Sequence, residues 1–257
     1  MVRDRFPQVR MIESQENLGF ATANNLAIRR SSGDYILLLN PDTKLKPCSL
    51  HTLLAFMRST PNAGAAGARL LNADETLQIS CYPEPSLLRE FWRMFNLDTF
   101  WSFANYPMDH WDLSNPREVD VLMGACFLLR REVLDQVGLM DENFFMYSEE
   151  VDLCHRIQKS GWSLYWVPKA QVIHYGGQST KLVAEEMFLQ LYAGKIMYFR
   201  KHYSRVVVNL YKAILYSAAL MRVIMTPFVM LQVRTRRQKY LTLSNYYRRL
   251  FFTLGSL

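Results

Sequence analysis

Apolar residues in the first 204 positions alternate between short continuous runs and stripes of helical spacing. Tyr35–Leu39 is an apolar run of strand length, typical of a strand buried on both faces. Residues 49–58 have helical spacing and residues 63–70 form another apolar run, and this alternation predicts an α/β sheet with parallel strands. The pattern also predicts strands over 9–13, 163–167 and 170–174, helices over 20–30, 132–137 and 187–203, an apolar run over 119–130, a hairpin turn over 72–75, and a loop-and-helix insertion over 83–115.

A central helix is predicted between Ser148, a good N-cap residue, and Gly161, a typical C-terminal residue. One face of this helix carries a carboxylate followed by three apolar side chains: Glu150, Leu153, Cys154 and Ile157. Glu150 is therefore the polar end of a buried stripe, flanked by Glu149 and Asp152, and could act as a general base. Acids in a first helical turn also complement the helix dipole, and the segment alone does not favour catalysis over this simpler explanation.

A second polar cluster, Asn40-Pro41-Asp42-Thr43, directly follows the most apolar run. Ligands of open α/β sheets bind at the carboxyl ends of strands, and Asp42 is a hard oxygen ligand for Mg²⁺ or Mn²⁺. Asparagine, proline and aspartate are also ordinary turn residues, so a metal site and a plain strand exit both stay open. His174, which ends an apolar run before Gly176-Gly177, is either a metal or phosphate contact or a plain strand-end histidine.

Several chemistries lack their motifs in this sequence. Without a Walker phosphate loop or a Gly-x-Gly-x-x-Gly motif, ATPases and dinucleotide enzymes are disfavoured, and no serine nucleophile elbow is present. The four cysteines are widely spaced and predict reduced thiols in a cytosolic chain, and no secretory signal is expected. The polar clusters permit one reaction, in which a metal at Asp42 neutralises a diphosphate leaving group and Glu150 takes a proton from an acceptor hydroxyl.

The net charge of +7 is concentrated in residues 205–257. Nine of the 30 basic residues and none of the 23 acidic ones lie there, so the first 204 residues carry 21 basic against 23 acidic residues. Residues 206–233 are strongly apolar, but Lys212 and Arg222 interrupt them and Pro227 would kink a helix. The longest uncharged run is shorter than the roughly 18 to 20 residues of a spanning helix, so a helix lying in the membrane interface fits better.

Basic residues of this tail would face anionic lipid headgroups: Arg234, Arg236, Arg237, Lys239, Arg248 and Arg249. A helical hairpin packed on the preceding domain and a nucleic-acid patch are the alternatives. The abundance of leucine, valine and methionine disfavours nucleic acid, which is not an expected partner. The sequence thus predicts a domain over 1–204 and a tail over 205–257 that contacts an anionic membrane surface.

A series of motifs runs in order through residues 9–180: Asn17-Leu18-Gly19-Phe20-Ala21-x-Ala23-Asn24-Asn25, Gly33-Asp34-Tyr35, Leu39-Asn40-Pro41-Asp42-Thr43, Gly124-Ala125-Cys126-x-Leu128, Val137-Gly138-x-x-Asp141-Glu142, Glu149-Glu150-Val151-Asp152, Gly161-Trp162 and His174. This series resembles the family 2 inverting glycosyltransferases, especially their rhamnosyltransferase-like branch. The resemblance implies a GT-A-like fold, with a mixed sheet flanked by helices, a nucleotide-diphosphate sugar donor and a divalent metal, Mg²⁺ or Mn²⁺.

By position, Asp42 looks like the metal-binding acid of the family's Asp-x-Asp-type motif and His174 like its C-terminal metal or diphosphate contact. Glu150 occupies the place of the catalytic base, where glutamate instead of aspartate moves the carboxylate by one methylene. The resemblance also assigns donor contacts to Asn17, Gly19, Asn24, Asn25, Asn40 and Asp42. The residues assigned to the acceptor side or its support are Gly124, Ala125, Glu149 and Asp152.

The resemblance also marks a departure at the start of the chain. The family opens with a strand, a helix and a second strand whose Asp-Asn-x-Ser-type turn grips the nucleotide base, and this chain begins after that turn. At least one βα unit, roughly 30 residues or more, is expected to be absent, which would expose apolar sheet edges and weaken donor binding. A truncated reading frame, a fragment and a chain completed by a partner are the three hypotheses for this departure.

Three functions follow as expectations. The first is an enzyme of cell-surface polysaccharide synthesis that moves a sugar, with rhamnose suggested by the branch, to a saccharide or polyprenyl-linked saccharide at the cytoplasmic face of the membrane. The second is a non-catalytic remnant or a membrane-associated partner subunit. The third is a lipid-binding module in which residues 205–257 do the main job. An in-frame strand ending in Asp-Asn-x-Ser upstream of Met1 would favour the enzyme, and a stop codon the remnant.

Overall fold

A computed structural model describes residues 1–176, 183–229 and 234–257, without the side chains of residues 227–229, 234–236 and 239. The predictions for Gly177 and for the side chains of Pro227, Arg234, Arg236 and Lys239 therefore lie outside the described residues. The strands are β1 Tyr35–Leu39, β2 Thr43–Leu45, β3 Ala63–Leu71, β4 Cys81–Tyr82, β5 Arg117–Glu118, β6 Val121–Leu122, β7 Cys126–Arg130 and β8 Ser163–His174. The helices are α1 Val2–Arg5, α2 Gly19–Arg29, α3 Ser49–Ser59, α4 Leu87–Met94, α5 Arg131–Val137, α6 Glu149–Lys159, α7 Ala184–His202, α8 Arg205–Val229 and α9 Arg234–Thr253.

The central sheet has the strand order β1-β7-β3-β8-β2, and β5 pairs with β8. Of the strand pairs in the described residues, β3 with β8 is parallel, and the others are antiparallel. The expectation of a parallel sheet is therefore wrong, because β7 runs between β1 and β3 in the opposite direction. The mixed sheet flanked by helices that the family resemblance implies is confirmed.

Both faces of the sheet are covered, as the apolar runs predict. Along β1, Ile36 and Leu38 join an apolar cluster that includes residues of α2, α5 and α6. The intervening Tyr35 and Leu37 pack on the opposite cluster, to which α3 contributes Leu53 and Met57. Side chains of a strand alternate between faces, so the continuous apolar run supplies both clusters.

Two predicted strands differ in the structure. Residues 9–13 are irregular chain outside the sheet, and Val9 is 50% exposed. The apolar segment there is short and pairs with no other strand in the described part of the chain, so water can satisfy its exposed backbone N–H and C=O groups. The predicted strands 163–167 and 170–174 are one strand, β8. Its register against β3 jumps from Ala68↔Val167 to Arg69↔Gln171, which accommodates Pro168, a residue that cannot donate to the ladder.

The tail forms a helical hairpin packed on the rest of the chain. Lys212 donates to the carbonyl of Leu254 (3.0 Å) and the hydroxyls of Thr226 and Ser244 lie 2.7 Å apart, so α8 and α9 run antiparallel. With α4 and α7 they enclose a third apolar cluster. The packed hairpin left open by the sequence is thus present in the structure. The division into domains at residue 204 stays a prediction.

A buried ionic group joins α4, α7 and α8. The carboxylate of Glu90 has no exposed surface and accepts from Lys195 (2.7 Å), Arg93 (2.5 Å) and the hydroxyl of Tyr211 (3.3 Å). Burial raises the pKa of Glu90, but the charges of Lys195 and Arg93 outweigh it and hold that pKa below its ordinary value. Removing one member would leave a buried charge unpaired, so this group fixes α8 to α4 and α7.

Candidate active site

The pairing of β2 with β8 brings Asp42 and His174 together. Thr43 is the register partner of His174, and the Asp42 Oδ1 lies 3.3 Å from the His174 Nε2. Gln78 orients the imidazole, because its Nε2 donates to Asn72 (3.1 Å) and to the His174 carbonyl (3.3 Å), which turns its Oε1 to the His174 Nδ1 at 2.7 Å. An amide oxygen only accepts, so Nδ1 donates to Gln78, and Nε2 is the ring nitrogen that faces Asp42.

This pair fits a divalent cation. A carboxylate oxygen and an imidazole lone pair converge on one point, and a supporting amide fixes the ring, as is usual for histidine ligands. The described residues hold no group of three or more histidine, cysteine, aspartate or glutamate side chains that could bind a metal. Asp42 and His174 would supply two ligands, and phosphate oxygens and water would complete the shell, which is the usual mode for Mg²⁺ and related ions at phosphate sites.

Asn40 and Gly124 connect this pair to Glu150. The backbone N–H of Asn40 donates to the carbonyl of Ala125 (3.0 Å), and its side-chain nitrogen lies 3.5 Å from the His174 Nε2. A Cβ built on Gly124 would stand 3.4 Å from the ring of Phe20 and 4.0 Å from the Cβ of Glu150, so Gly124 packs directly beside the start of α6. Asp42 and Glu150 are therefore linked through the contacts of Asn40, Ala125 and Gly124.

Glu149, which is buried, and Glu150, which is half-buried, form an acid pair at the start of α6. Burial, followed by the charge of Glu150, raises the pKa of Glu149 to about 8, and burial raises the pKa of Glu150. Each carboxyl group has a buried Oε2 that lacks a hydrogen-bond partner among the described residues. The three apolar residues predicted to share the Glu150 face, Leu153, Cys154 and Ile157, are fully buried. This pair can hold one proton and accept another, which suits general-base chemistry.

The loop before α6 is held in a strained conformation. Tyr147 and Ser148 have φ angles of 69° and 72°, in the left-handed region that non-glycine residues rarely adopt. Ser148 is the N-cap residue of α6, as the sequence predicts, but its side chain makes no capping hydrogen bond. The left-handed backbone turns the serine hydroxyl towards α7, where a Cβ on Gly194 would lie 3.2 Å from it.

Two glycines allow other segments to approach this loop. The N–H of Phe20 donates to the carbonyl of Phe145 (2.9 Å), and a Cβ on Gly19 would collide with that carbonyl oxygen. A Cβ on Gly194 of α7 would lie 2.6 Å from the carbonyl oxygen of Tyr147. The loop that carries the acid pair is therefore enclosed between α2 and α7. The sequence motifs include Gly19 but not Gly194 or Gln78, because only the tertiary approach and the strand register reveal them.

The asparagines predicted to contact the donor take local positions in the structure. Asn17 Oδ1 accepts from the N–H of Gly19 (3.1 Å), and Asn24 Nδ2 donates to the carbonyl of Phe20 (2.8 Å). Asn25 is fully buried, and its amide bonds both backbone groups of Met140 as well as Glu142. The predicted donor contact of Asn25 needs correction, since a buried amide with its donors and acceptor engaged supports α2 instead.

Asp152 also supports the site from behind. Its buried carboxylate accepts from Arg156 (2.8 Å), Lys201 (2.9 Å) and His202 (2.7 Å), which ties α6 to α7. Burial raises the pKa of Asp152, but the hydrogen bond from Lys201 and the charge of Arg156 outweigh it and keep the pKa below its ordinary value. Asp152 thus fixes the direction of α6. Its carboxylate has no exposed oxygen that could contact the acceptor substrate.

Known proteins resemble this chain in sequence and in fold. Over 195 residues the chain is 34% identical to the N-acetylglucosaminyl-diphospho-decaprenol L-rhamnosyltransferase of Mycobacterium tuberculosis, which covers 68% of this chain and 62% of that relative. Over 177 residues it is 27% identical to a rhamnosyltransferase of Escherichia coli strain K12, with 66% of each chain covered. The chain thus spans about 62% of the length of the mycobacterial relative.

Among solved structures, a mannosyltransferase of Pyrobaculum calidifontis in complex with GDP-Man and Mn²⁺ superposes with a TM-score of 0.53. The match covers 98% of this chain and 71% of that one at 14% sequence identity, so it shows a shared fold. Residues 1–193 match the family model described as glycosyltransferase like family 2. A match over this much of the sequence shows that the chain belongs to the glycosyltransferase family 2.

Proposed function

We propose that this chain transfers a sugar from a nucleotide-diphosphate donor to a hydroxyl of a saccharide or polyprenyl-linked saccharide, with inversion, in cell-surface polysaccharide synthesis. Two relatives are named rhamnosyltransferases, which supports rhamnose as the sugar. The name of the mycobacterial relative includes a decaprenol-linked sugar, which supports a lipid-linked acceptor. Because the chain spans only part of that relative, the activity and both substrates belong to the proposal.

One observation carries this proposal. Asp42 and His174 lie 3.3 Å apart at the strand edge, and Asn40 and Gly124 link them to the space before Glu150. A diphosphate at the first pair would place the sugar carbon towards the second group. The arrangement therefore suits a reaction that needs a site for the diphosphate next to a general base.

The chemistry follows from these positions. Glu150 accepts the proton of the acceptor hydroxyl, whose oxygen forms a bond to the anomeric carbon as the bond from that carbon to the diphosphate oxygen breaks. Attack opposite the leaving group inverts the configuration at that carbon. A divalent cation, Mg²⁺ or Mn²⁺, bound by Asp42 and His174 would neutralise the charge that develops on the diphosphate.

A lipid-linked acceptor would place the protein at a membrane. We infer a peripheral location on the cytoplasmic face, where residues 205–257 contact anionic lipid. In the described residues, one helical segment, Arg205–Thr226, is long and apolar enough to cross a membrane by length and composition alone. The packing of α8 on α4 and α7 supports surface contact instead.

A donor screen tests the transferase proposal. The protein, with any in-frame residues encoded ahead of Met1, is incubated with nucleotide sugars, a polyprenyl-diphosphate saccharide and Mg²⁺ or Mn²⁺, and products are detected by mass spectrometry. We expect transfer from a deoxysugar nucleotide such as a rhamnose donor, and loss of transfer on chelation. Absence of both donor binding and transfer would favour the non-catalytic remnant or partner subunit.

Replacing Asp42 by asparagine should weaken metal-dependent donor binding by about ten-fold or more, since the change keeps the shape but removes the charge. Donor affinity is measured by titration calorimetry with Mn²⁺ and after chelation. Chelation should lower the affinity of the unchanged protein and have little further effect on the variant. Asp34→Asn, at an exposed turn, is the matched control. An Asp42→Asn variant with the unchanged protein's metal dependence would refute the metal assignment.

A further inference from the structure

One side of α8 is exposed along most of its length and carries no charged side chain. The exposed residues recur at helical spacing: Val206, Leu210, Ala213, Ser217, Leu220, Met221 and Ile224. We name this set the α8 face; it extends about 27 Å along the helix axis. Val206 is 67% exposed and Ile224 is 57% exposed, although both are large apolar residues. Contiguous apolar surface of this kind usually marks an interaction site.

The two charges inside the apolar sequence of α8 are turned away from this face. Lys212 donates to the carbonyl of Leu254 (3.0 Å) in α9. Arg222 donates to the carbonyl of Met94 (2.5 Å), and its guanidinium lies 4.3 Å from the ring centroid of Tyr247. The charges that interrupt the apolar run in the sequence therefore do not interrupt the α8 face.

A basic recess adjoins the first turns of the α8 face. Its volume is about 360 Å³, and it is lined by three basic residues and three uncharged ones: Arg200, Arg205, Lys212, Tyr203, Val208 and Asn209. No acidic residue lines this recess or occurs in the sequence from Arg205 onward. Apolar surface beside uncompensated positive charge is complementary to an anionic lipid surface. A second copy of the chain would instead bring the same positive charges together.

The other side of α8 is fixed to the protein, which argues against a spanning arrangement. Tyr211 is fully buried and donates to the buried Glu90 (3.3 Å), and Leu215 and Ala218 are also fully buried. A helix surrounded by lipid would have to give up these contacts and leave the Glu90 cluster without its hydroxyl donor. A helix lying on the membrane keeps them.

We propose that the α8 face lies on an anionic phospholipid bilayer with the helix axis parallel to the surface, and that the basic recess binds a lipid phosphate. This proposal rests on the proposed function in one respect: membrane binding would serve to hold the active site beside a membrane-anchored acceptor. Lipid binding itself requires no donor, metal or sugar transfer. The two proposals can therefore fail separately.

The α8 face is tested by sedimentation with vesicles of phosphatidylglycerol and phosphatidylcholine, compared with phosphatidylcholine alone. We expect binding to the anionic vesicles, and a loss of about ten-fold or more in Leu220→Asp/Ile224→Asp. The matched control, Val9→Asp/Leu50→Asp, makes the same change at exposed apolar sites of the N-terminal segment and α3, and should bind as the unchanged protein does. Equal binding by both double variants would overturn the proposal.

The basic recess is tested in the same assay with Arg200→Gln/Arg205→Gln. Each basic residue near an anionic surface contributes a roughly five-fold effect, so we expect binding to fall by about ten-fold or more, and added salt to weaken the unchanged protein more than the variant. Arg30→Gln/Arg58→Gln, with the same loss of charge on α2 and α3, is the control. Equal losses in both pairs would show a general charge effect and refute the recess.

Two further outcomes would also overturn the surface arrangement. A membrane-bound protein that resists extraction by alkaline carbonate would span the bilayer. A protein that dimerises without vesicles, and becomes monomeric in Leu220→Asp/Ile224→Asp, would use the α8 face for a second copy. Release by carbonate and an unchanged oligomeric state in that variant support contact with the lipid surface.

Discussion

Replacing Glu150 by glutamine is expected to lower the rate of sugar transfer by about 10²- to 10⁴-fold, the usual contribution of a general base. Glutamine keeps the shape of the side chain but cannot accept the proton of the acceptor hydroxyl. Asp42 and His174 are untouched, so metal-dependent donor binding should stay within about two-fold of the unchanged protein's affinity. The measurements are single-turnover transfer and donor titration on the same preparations.

Glu149→Gln is the matched control for this change. The pKa of Glu149, raised to about 8 by burial and by the charge of Glu150, keeps this side chain protonated at neutral pH. Glutamine resembles a protonated glutamic acid, so this variant should keep most of its activity near pH 7. If Glu149→Gln is as inactive as Glu150→Gln, or if Glu150→Gln is fully active, the assignment of the base is refuted.

The pH dependence of transfer should follow the same pair. Glu150 must be ionised to act as a base, and burial raises its pKa, so activity should fall as the pH is lowered through that raised value. Above about pH 8, ionisation of Glu149 adds a second negative charge beside the base and near the diphosphate. Above that pH we expect the rate of sugar transfer to change in the unchanged protein and to stay constant in Glu149→Gln. A profile that is flat from pH 5 to pH 9 would contradict a base at this position.

The sequence predicts the sheet well where the side-chain pattern is local. Tyr35–Leu39 is a strand because its alternate residues fill both faces of the sheet, and the apolar run alone indicates this. Strand direction is not local, so the antiparallel entry of β7 between β1 and β3 could not be predicted from periodicity. The single strand β8 was divided in the prediction because Pro168 resembles a strand end, whereas the register shift beside β3 accommodates it.

The site could be predicted only as far as its motifs extend. Asp42 and His174 are candidates from their strand-end positions and from the family resemblance, and the β2–β8 register brings them together. Gln78 carries no signal of its own, since it becomes a partner of His174 only through long-range pairing. The sequence likewise could not predict that the side chains of Lys212 and Arg222 bond to backbone carbonyls within the protein. In the sequence both residues only interrupt an apolar run.

Replacing Gly194 by alanine should lower the rate of transfer by about 100-fold, although Gly194 lies outside the sequence motifs assigned to the donor and the acceptor. Alanine normally stabilises a helix interior relative to glycine by about 1 kcal/mol, so the backbone of α7 itself would favour the change. The added methyl group, however, would lie 2.6 Å from the carbonyl oxygen of Tyr147. A backbone atom cannot rotate away as a long side chain does, so α7 or the loop must move.

The direction of that movement decides the effect on catalysis. Asp152 ties α6 to α7 through Lys201 and His202, so the two helices resist separation and the strained Tyr147–Ser148 backbone is the part that yields. Its displacement moves the first turn of α6 and with it Glu150, and a misplacement of about 1 Å can cost 10²-fold in rate. A purely structural role would instead lower the unfolding temperature and leave the rate per folded molecule unchanged.

Larger side chains at position 194 should give a graded series. Turnover should decline from Gly194→Ala to Gly194→Ser to Gly194→Val, while donor affinity, which depends on Asp42 and His174, changes little. Ser59→Thr, which adds a methyl group to an exposed position of α3, is the control and should leave transfer unchanged. Thermal unfolding of each variant separates the loss of folded protein from the loss of turnover. Full turnover in Gly194→Ala would show that the loop has room to adjust and that α7 does not position the base.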